Sequence, residues 1–274
     1  MDLLKRWFAF YVFGNIHVAV AAYSLTKITF LQFNISDQPL ANFVFFSTVL
    51  SYNLIRLLQI DWINSMMASW FRSNNKGLVI LNFTAMIGCI YYALNFRLRE
   101  ILVLVPFVAA TVFYVFPFKK GAAGLRNIPA LKLFLISATW TGVTLVFPLF
   151  ANGIQHTGLD YFHVLQRFLF VFAITIPFDI RDAQFDLEEL STLPQALGVN
   201  ASKLIAIAAI ILYLMLDVIL YSSHSDYFKI DLFMMAIAML MIGFSGMKRQ
   251  RYYTAFWIES LPVLWYLLYL LFVD

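Results

Sequence analysis

The sequence predicts an all-α membrane protein with about nine transmembrane helices packed around a central cavity, in a single transmembrane domain over residues 1–274. Hydrophobic residues make up 62% of the chain and charged residues 12%, whereas a soluble domain carries about 25% charged residues. The apolar runs are about 20 residues long, as a membrane-spanning helix requires, and are not the alternating segments of about 10 residues found in β-barrels. Because the net charge is only +4, we expect membrane lipids as partners and no nucleic acid.

Nine apolar runs are candidate spans. The first follows a short charged N-terminus and lacks a convincing small-residue cleavage site, so we expect a retained span and not a cleaved signal peptide. Nine spans would put the two termini on opposite sides of the membrane. The runs cover approximately 8–26, 38–58, 77–95, 100–117, 130–150, 162–178, 202–221, 230–247 and 254–272.

The distribution of basic residues predicts the orientation. With the N-terminus placed inside, 14 of the 19 Lys and Arg residues fall in or beside inside loops and five in or beside outside loops. Inside loops carry an excess of basic residues in membrane proteins. The sequence therefore predicts a multi-pass protein of a bacterial-type plasma membrane, with the N-terminus and the polar loops 59–76, 118–129 and 179–200 in the cytoplasm.

An acidic run follows directly on the apolar stretch Phe168–Phe178. Asp179, Asp182 and Asp186 are spaced by three and four residues, so they share one helix face if the helix continues through them. Three like charges on one face repel each other unless a positive charge lies among them. A divalent cation takes carboxylate oxygens as ligands; the alternative is a solvated helix end that Arg181 partly neutralises.

The end of the second predicted span carries a second polar group. Asn53 and Asp61 are eight residues apart, two turns along one helix face, and Arg56 falls on a neighbouring face. Polar residues at the end of a long apolar helix usually face a bundle interior or a watery cavity. The alternative is that Arg56 reaches towards the lipid headgroups while Asn53 hydrogen-bonds between helices.

The loop after the fourth run is basic. Lys119, Lys120 and Arg126 suit either anionic lipid or a phosphate group, which Arg binds with two parallel hydrogen bonds and Lys binds as a point charge. Carboxylates for a cation and cations for phosphate oxygens are the two halves of a diphosphate site. Such a site would hold a lipid diphosphate with its chain between the apolar helices.

These residues resemble the UbiA-type intramembrane prenyltransferases. The acidic run followed by the stretch Ser191-Thr192-Leu-Pro194…Leu197-Gly198 is similar to the second aspartate-rich motif of that family. The Asn53…Asp61 stretch lies where the family carries its first motif, and the basic loop resembles the family's segment after the fourth helix. Where the first motif of the family has its middle acid, this chain has Leu57. One metal ligand of the family is therefore missing.

The resemblance implies an enzyme that uses Mg2+ to move a prenyl group from an isoprenoid diphosphate donor to a hydrophobic acceptor, such as an aromatic ring or quinone precursor. Catalysis would involve Asp182, Asp186 and Asp179, and Mg2+ would bind Asp182, Asp186 and Asp61. The substrate-binding residues would be Asn53, Arg56, Lys119, Lys120 and Arg126.

Two alternatives remain. Leu57 favours a diverged, non-catalytic paralogue that binds an isoprenoid lipid or acts as a structural membrane protein. The acids Asp217 and Glu259, in or near the late apolar runs, would suit a transporter or would simply form hydrogen bonds between helices. The chain shows no internal repeat and no pair of helices broken by Gly or Pro, which transporters commonly have.

Overall fold

The computed structural model describes residues 2–58, 65–115, 131–154, 158–183, 192–221 and 223–273. Those ranges contain helices and no strands. The helices are α1 Asp2–Phe13, α2 Ile16–Gln32, α3 Gln38–Leu58, α4 Ser65–Ser73, α5 Asn75–Ala93, α6 Leu98–Leu102, α7 Val105–Val115, α8 Leu131–Thr141, α9 Phe147–Ala151, α10 Asp160–Asp182, α11 Leu193–Leu197, α12 Val199–Leu220, α13 Asp226–Gly243 and α14 Leu261–Phe272. π-helical turns at Gly142–Val146 and Tyr253–Ile258 join α8 to α9 and precede α14.

Several of these helices are long and apolar enough to cross a membrane. Within the described ranges there are six, and a bent pair formed by α1 and α2 makes a seventh. The prediction of an all-α membrane bundle is therefore confirmed. The count of nine stays a prediction, because α13 carries Asp226, Lys229 and Asp231 among its 18 residues and α7 is described over 11 residues.

The structure adds two details to the predicted layout. The run 8–26 was expected to be one span, but it contains the break between α1 and α2, which are bent by 54°. The predicted loop 59–76 contains helix α4 at 65–73. A hydropathy pattern marks apolar length and does not report helix breaks or short helices within loops.

The break between α1 and α2 has a local cause. Asn15 adopts a left-handed conformation with φ 63°, which ends the helical hydrogen-bond ladder there. A Cβ atom on Gly14 would lie 2.5 Å from the Phe10 carbonyl oxygen, so the chain needs glycine at this turn. The backbone groups that lose their helical partners at the break can form hydrogen bonds with side chains of α3.

Helix α2 runs through the interior, where it packs against α3 and α14. Its side chains contact carbonyl oxygens of the two π-helical turns. His17 Nε2 lies 3.0 Å from the Phe256 oxygen, and the Thr29 hydroxyl donates to the Thr144 oxygen at 2.8 Å. π-helical turns often mark functional sites because they misalign the regular backbone ladder.

A buried carboxylate joins the last three long helices. Asp231 of α13 is fully buried and accepts hydrogen bonds from Trp265 Nε1 at 2.7 Å, the Tyr269 hydroxyl at 2.7 Å and the Tyr213 hydroxyl at 2.8 Å. Tyr213 lies on α12, while Trp265 and Tyr269 lie on α14. The carboxylate therefore ties α12, α13 and α14 together in the apolar interior.

Helix α10 carries further buried polar groups in its first half. Gln166 Nε2 donates to Asp217 Oδ1 of α12 at 3.1 Å, so Asp217 does form a hydrogen bond between helices. Arg167 is 2% exposed and donates to the Leu25 oxygen at 2.8 Å and to the Thr144 hydroxyl at 3.0 Å. These contacts fix α10 against α2, α12 and the first π-helical turn.

Candidate functional site

The acidic run begins on the last turn of α10. The helix continues to Asp182, so Asp179 and Asp182 lie one turn apart, as the sequence required for a shared face. Both carboxylates face basic side chains of the same chain. Lys132 Nζ of α8 lies 2.6 Å from Asp179 Oδ1, and Arg181 binds both oxygens of Asp182 at 2.7 Å.

These ion pairs offset the repulsion between the acidic residues of the run. A positive charge was expected among the acids, and Lys132 and Arg181 supply it. The Asp179 side chain is only 2% exposed, whereas that of Asp182 is 35% exposed. Asp182 is therefore reachable from the surrounding space, while Asp179 is enclosed behind Lys132.

Arg181 also connects α10 to the last span. Its Nη1 donates to the Thr254 hydroxyl at 2.6 Å, and its guanidinium lies over the Phe178 ring, 5.3 Å from the centroid. Because the guanidinium is held at three points, it fixes the direction of the Asp182 carboxylate.

The turn after the acidic run brings α12 back against α10. The Gln195 side chain caps the start of α11, because its Oε1 accepts a hydrogen bond from the Thr192 amide at 2.9 Å. Pro194 suits the first turn of a helix, and Gly198 has φ 83°, a conformation that favours glycine. The Thr-Leu-Pro…Gly stretch, which carries the family resemblance, therefore also has a local structural role.

The polar residues of α3 bind the break between α1 and α2. Asn53 is fully buried; its Nδ2 donates to the Gly14 oxygen at 3.1 Å and its Oδ1 accepts from Asn15 Nδ2 at 2.7 Å. Arg56 Nη1 donates to the Phe13 oxygen at 3.0 Å. Asn53 thus forms hydrogen bonds between helices, which was one of the two alternatives drawn from the sequence. The Leu57 side chain, on the same helix, is 41% exposed.

The side chains around Arg56 form a recess at this end of the bundle. Protein surrounds the side chains of Tyr52, Arg56 and Glu259, yet each keeps part of its surface accessible. We infer the recess because a side chain that is closely surrounded and still accessible lies in a concave part of the protein. Trp140 Nε1 donates to the Tyr52 hydroxyl at 2.9 Å, which places two aromatic residues in its wall.

The charged groups at this end of the bundle form one cluster. Arg56 and Arg181 are close enough to Glu259 for their charges to interact, and Arg56 also interacts with Asp182. We call the group Arg56, Arg181, Asp182 and Glu259 the cavity cluster. It brings together charged residues of α3, of α10 and of the segment before α14.

Sequence reasoning missed two members of this region. Lys132 lies 47 residues before its partner Asp179, and no local spacing connects them. Glu259 stood out as an acid in an apolar run, but it was considered only for a transporter or for hydrogen bonds between helices. Five predicted site residues lie outside the described residues: Asp61, Lys119, Lys120, Arg126 and Asp186.

The cavity cluster meets part of the requirement for Mg2+. Within the described ranges there is no group of three His, Cys, Asp or Glu side chains suited to a metal ion. Asp182 fits as a ligand, because its carboxylate is partly exposed. Asp179 does not fit, because a metal would have to displace Lys132 from an enclosed ion pair.

Comparison with known proteins identifies the fold. No family model matches the chain, and the curated proteins contain no match. Among solved structures, a UbiA homologue from Archaeoglobus fulgidus bound to GPP and Mg2+ matches with a TM-score of 0.64 and 12% sequence identity. The match covers 93% of this chain and 96% of the other. The chain therefore has the all-helical membrane fold of a UbiA homologue.

Proposed function

We propose that this protein is a membrane prenyltransferase, which moves a prenyl group from an isoprenoid diphosphate to a hydrophobic acceptor. One observation carries the proposal. In a fold shared with a UbiA homologue bound to GPP, a prenyl diphosphate, the cavity cluster joins two guanidinium groups and a partly exposed carboxylate at one recess of the bundle. This combination suits an anionic head and an apolar chain bound side by side.

The basic residues would bind and stabilise the leaving diphosphate. Arg56 and Arg181 lie in the cavity cluster, and Lys119, Lys120 and Arg126 of the basic loop would complete the anion site. When the bond between the prenyl carbon and the diphosphate oxygen breaks, the electron pair stays on the diphosphate. Positive groups fixed beside that oxygen lower the barrier, because they stabilise charge that develops in the transition state.

Asp182 would hold Mg2+ together with Asp186 and Asp61, and Asp179 would assist by fixing Lys132. When bound, the ion would neutralise part of the diphosphate charge. Leu57 provides no carboxylate, so we expect this part of the site to bind metal more weakly than two complete acidic motifs would.

The cavity wall would protect the prenyl cation from water. Tyr52 and Trp140 meet edge to face with ring centroids 6.4 Å apart, and Phe178 lies under Arg181. Aromatic faces attract cations, and a water-excluded space prevents premature hydrolysis. The cation would persist until the acceptor attacks.

The Asp182→Ala variant tests this proposal. We expect it to lose prenyl transfer from radiolabelled GPP by at least about 100-fold, the usual scale for removing a fixed charge from a transition state. The matched control is Asp226→Ala, which removes an exposed Asp that pairs with Lys229 at 2.8 Å. Unchanged turnover in Asp182→Ala would exclude the assigned role of this carboxylate.

A second candidate is a non-catalytic protein that binds an isoprenoid lipid. Two observations favour it: Leu57 replaces an acid, and Asp179 and Asp182 are already neutralised by Lys132 and Arg181. A protein of this kind would bind the lipid without needing Mg2+. Binding of GPP with and without Mg2+ separates the two candidates.

A further inference from the structure

Glu259 occupies the junction between the second π-helical turn and α14. Contacts on either side fix this junction: Thr254 accepts a hydrogen bond from Arg181 at 2.6 Å, and the Ser260 hydroxyl lies 3.2 Å from His17 Nε2. The Glu259 side chain keeps accessible surface while protein surrounds it. The carboxylate is therefore held in place at the cavity wall.

The neighbours of Glu259 are already engaged elsewhere. Arg181 binds Asp182, Arg56 binds the Phe13 oxygen, and the Tyr52 hydroxyl accepts from Trp140. Among the described residues, no side chain or backbone amide donates a hydrogen bond to the Glu259 carboxylate. An enclosed carboxylate in this state has unused acceptor capacity.

The Tyr11 hydroxyl lies close enough to Glu259 to interact with it electrostatically. That hydroxyl is 2.8 Å from His17 Nδ1, and His17 Nε2 faces the Phe256 oxygen, which only accepts. In neutral His17, Nε2 therefore carries the proton and Nδ1 accepts from Tyr11. The Tyr11 hydroxyl therefore donates its hydrogen bond to His17 and not to Glu259. The Glu259 carboxylate remains able to accept a proton.

We propose that Glu259 is the catalytic base that removes the proton from the acceptor. This inference rests on the proposed prenyl transfer. An aromatic acceptor forms a bond to the prenyl carbon with one of its own electron pairs, while the electron pair of the broken carbon–oxygen bond stays on diphosphate. The acceptor then gives up one proton, from its ring carbon or its hydroxyl, and the Glu259 carboxylate takes it and later returns it to water.

This proposal differs from a purely structural one in which Glu259 only balances the charge of Arg56. A charge partner would position Arg56, so its loss would weaken donor binding and slow the breaking of the donor bond. A base acts after the donor bond has broken. Its loss would therefore leave donor binding and diphosphate release intact while transfer fails.

The Glu259→Gln variant separates these roles, because it keeps the size of the side chain and removes its basicity. We expect GPP to bind within about twofold of wild type, and diphosphate release in the absence of acceptor to persist. Transfer to 1-naphthol or hydroquinone, used as aromatic acceptor probes, should fall about 100-fold or more, the scale of general base catalysis. Glu259→Asp should restore part of the rate.

The pH profile provides a readout that a structural role would not change. In wild type, kcat/KM for transfer should fall at acidic pH as Glu259 is protonated, and this limb should be absent in Glu259→Gln. The matched control is Asp217→Asn, which neutralises a buried carboxylate that is hydrogen-bonded to Gln166. At 1.5 Å per residue, Gln166 lies about 24 Å from Asp182 along α10. The control should retain the acidic limb.

The outcomes distinguish this inference from the proposed function. If the wild type neither binds GPP nor transfers its prenyl group to either probe, the proposed function fails and the inference fails with it. If the wild type is active and Glu259→Gln transfers at the same rate with the same pH profile, only the role of Glu259 is overturned. Parallel loss of binding and diphosphate release would assign Glu259 to positioning Arg56.

Discussion

At the scale of single residues, the Lys132–Asp179 pair shows how the chain stabilises its own acidic run. The Asp179 carboxylate is 2% exposed and the Lys132 side chain 31% exposed, with 2.6 Å between the charged atoms. An enclosed carboxylate that loses its cation keeps the cost of leaving water without the compensating attraction. The pair is therefore more important for stability than an exposed pair of the same length.

The Lys132→Met variant should lower the free energy of unfolding in detergent by about 3 kcal/mol, the low end of the range for breaking a buried pair, because Lys132 keeps some exposure. The matched control is Lys229→Met, whose partner Asp226 is 59% exposed and which should change stability by at most about 1 kcal/mol. Thermal unfolding monitored by circular dichroism measures both. Adding Asp179→Asn to Lys132→Met should recover much of the loss; equal effects in Lys132→Met and Lys229→Met would contradict this account.

Residue types and local spacing predicted part of the site. Asp179 and Asp182 were expected on one helix face, and α10 does extend to Asp182. The partner of Asp179 was not predictable, because Lys132 lies on another helix and its pairing depends on how α8 packs on α10. The hydrogen bonds of Asn53 to Gly14 and Asn15 depend in the same way on a helix break that one sequence does not reveal.

At the scale of helices, long apolar runs predicted the spans well because hydropathy is a property of each segment alone. The run 130–150 corresponds to α8 and α9 joined by a π-helical turn, and the run 202–221 corresponds to α12. The break at Gly14 and the π-helical turns were not predicted. Side chains of α2 and α3 contact backbone oxygens at these places, and hydropathy does not report such contacts between helices.

The contacts of Asp231 make α13 a test of helix packing. In Asp231→Asn one acceptor oxygen becomes a donor group, so the buried hydroxyl and indole donors of α12 and α14 compete for the remaining oxygen. We expect a loss of about 1–3 kcal/mol, the cost of leaving a buried polar group unsatisfied. The control is Asp226→Asn, which lies on the same helix but is exposed, and unfolding in detergent compares the two variants. An unchanged free energy of unfolding in Asp231→Asn would show that this carboxylate does not join the helices.

At the scale of the whole molecule, the two ends of the chain share one core. Helix α14 packs against α2, and α1 contacts the π-helical turn before α14. These contacts support the proposal of a single transmembrane domain over 1–274. Limited proteolysis that releases a stably folded half of the chain would contradict it.

We also propose that the N-terminus and the cavity cluster face the cytoplasm of a bacterial cell. A cysteine-free protein with Cys89→Ala allows a direct test at His224 and Lys248, exposed residues beyond opposite ends of α13. An impermeant maleimide added to intact cells should label His224→Cys and should label Lys248→Cys only after lysis, because basic residues remain inside. The reverse pattern would invert the proposed orientation.

The central claim is that the cavity cluster binds a prenyl diphosphate, and binding of GPP to the purified protein tests it most directly. Titrations with and without Mg2+ would compare wild type, Asp182→Ala and the control Asp226→Ala. The account predicts Mg2+-dependent binding that persists in Asp226→Ala and is lost in Asp182→Ala. Binding that ignores both Mg2+ and the Asp182 substitution would contradict it and favour the non-catalytic lipid-binding protein, and an absence of binding would contradict both.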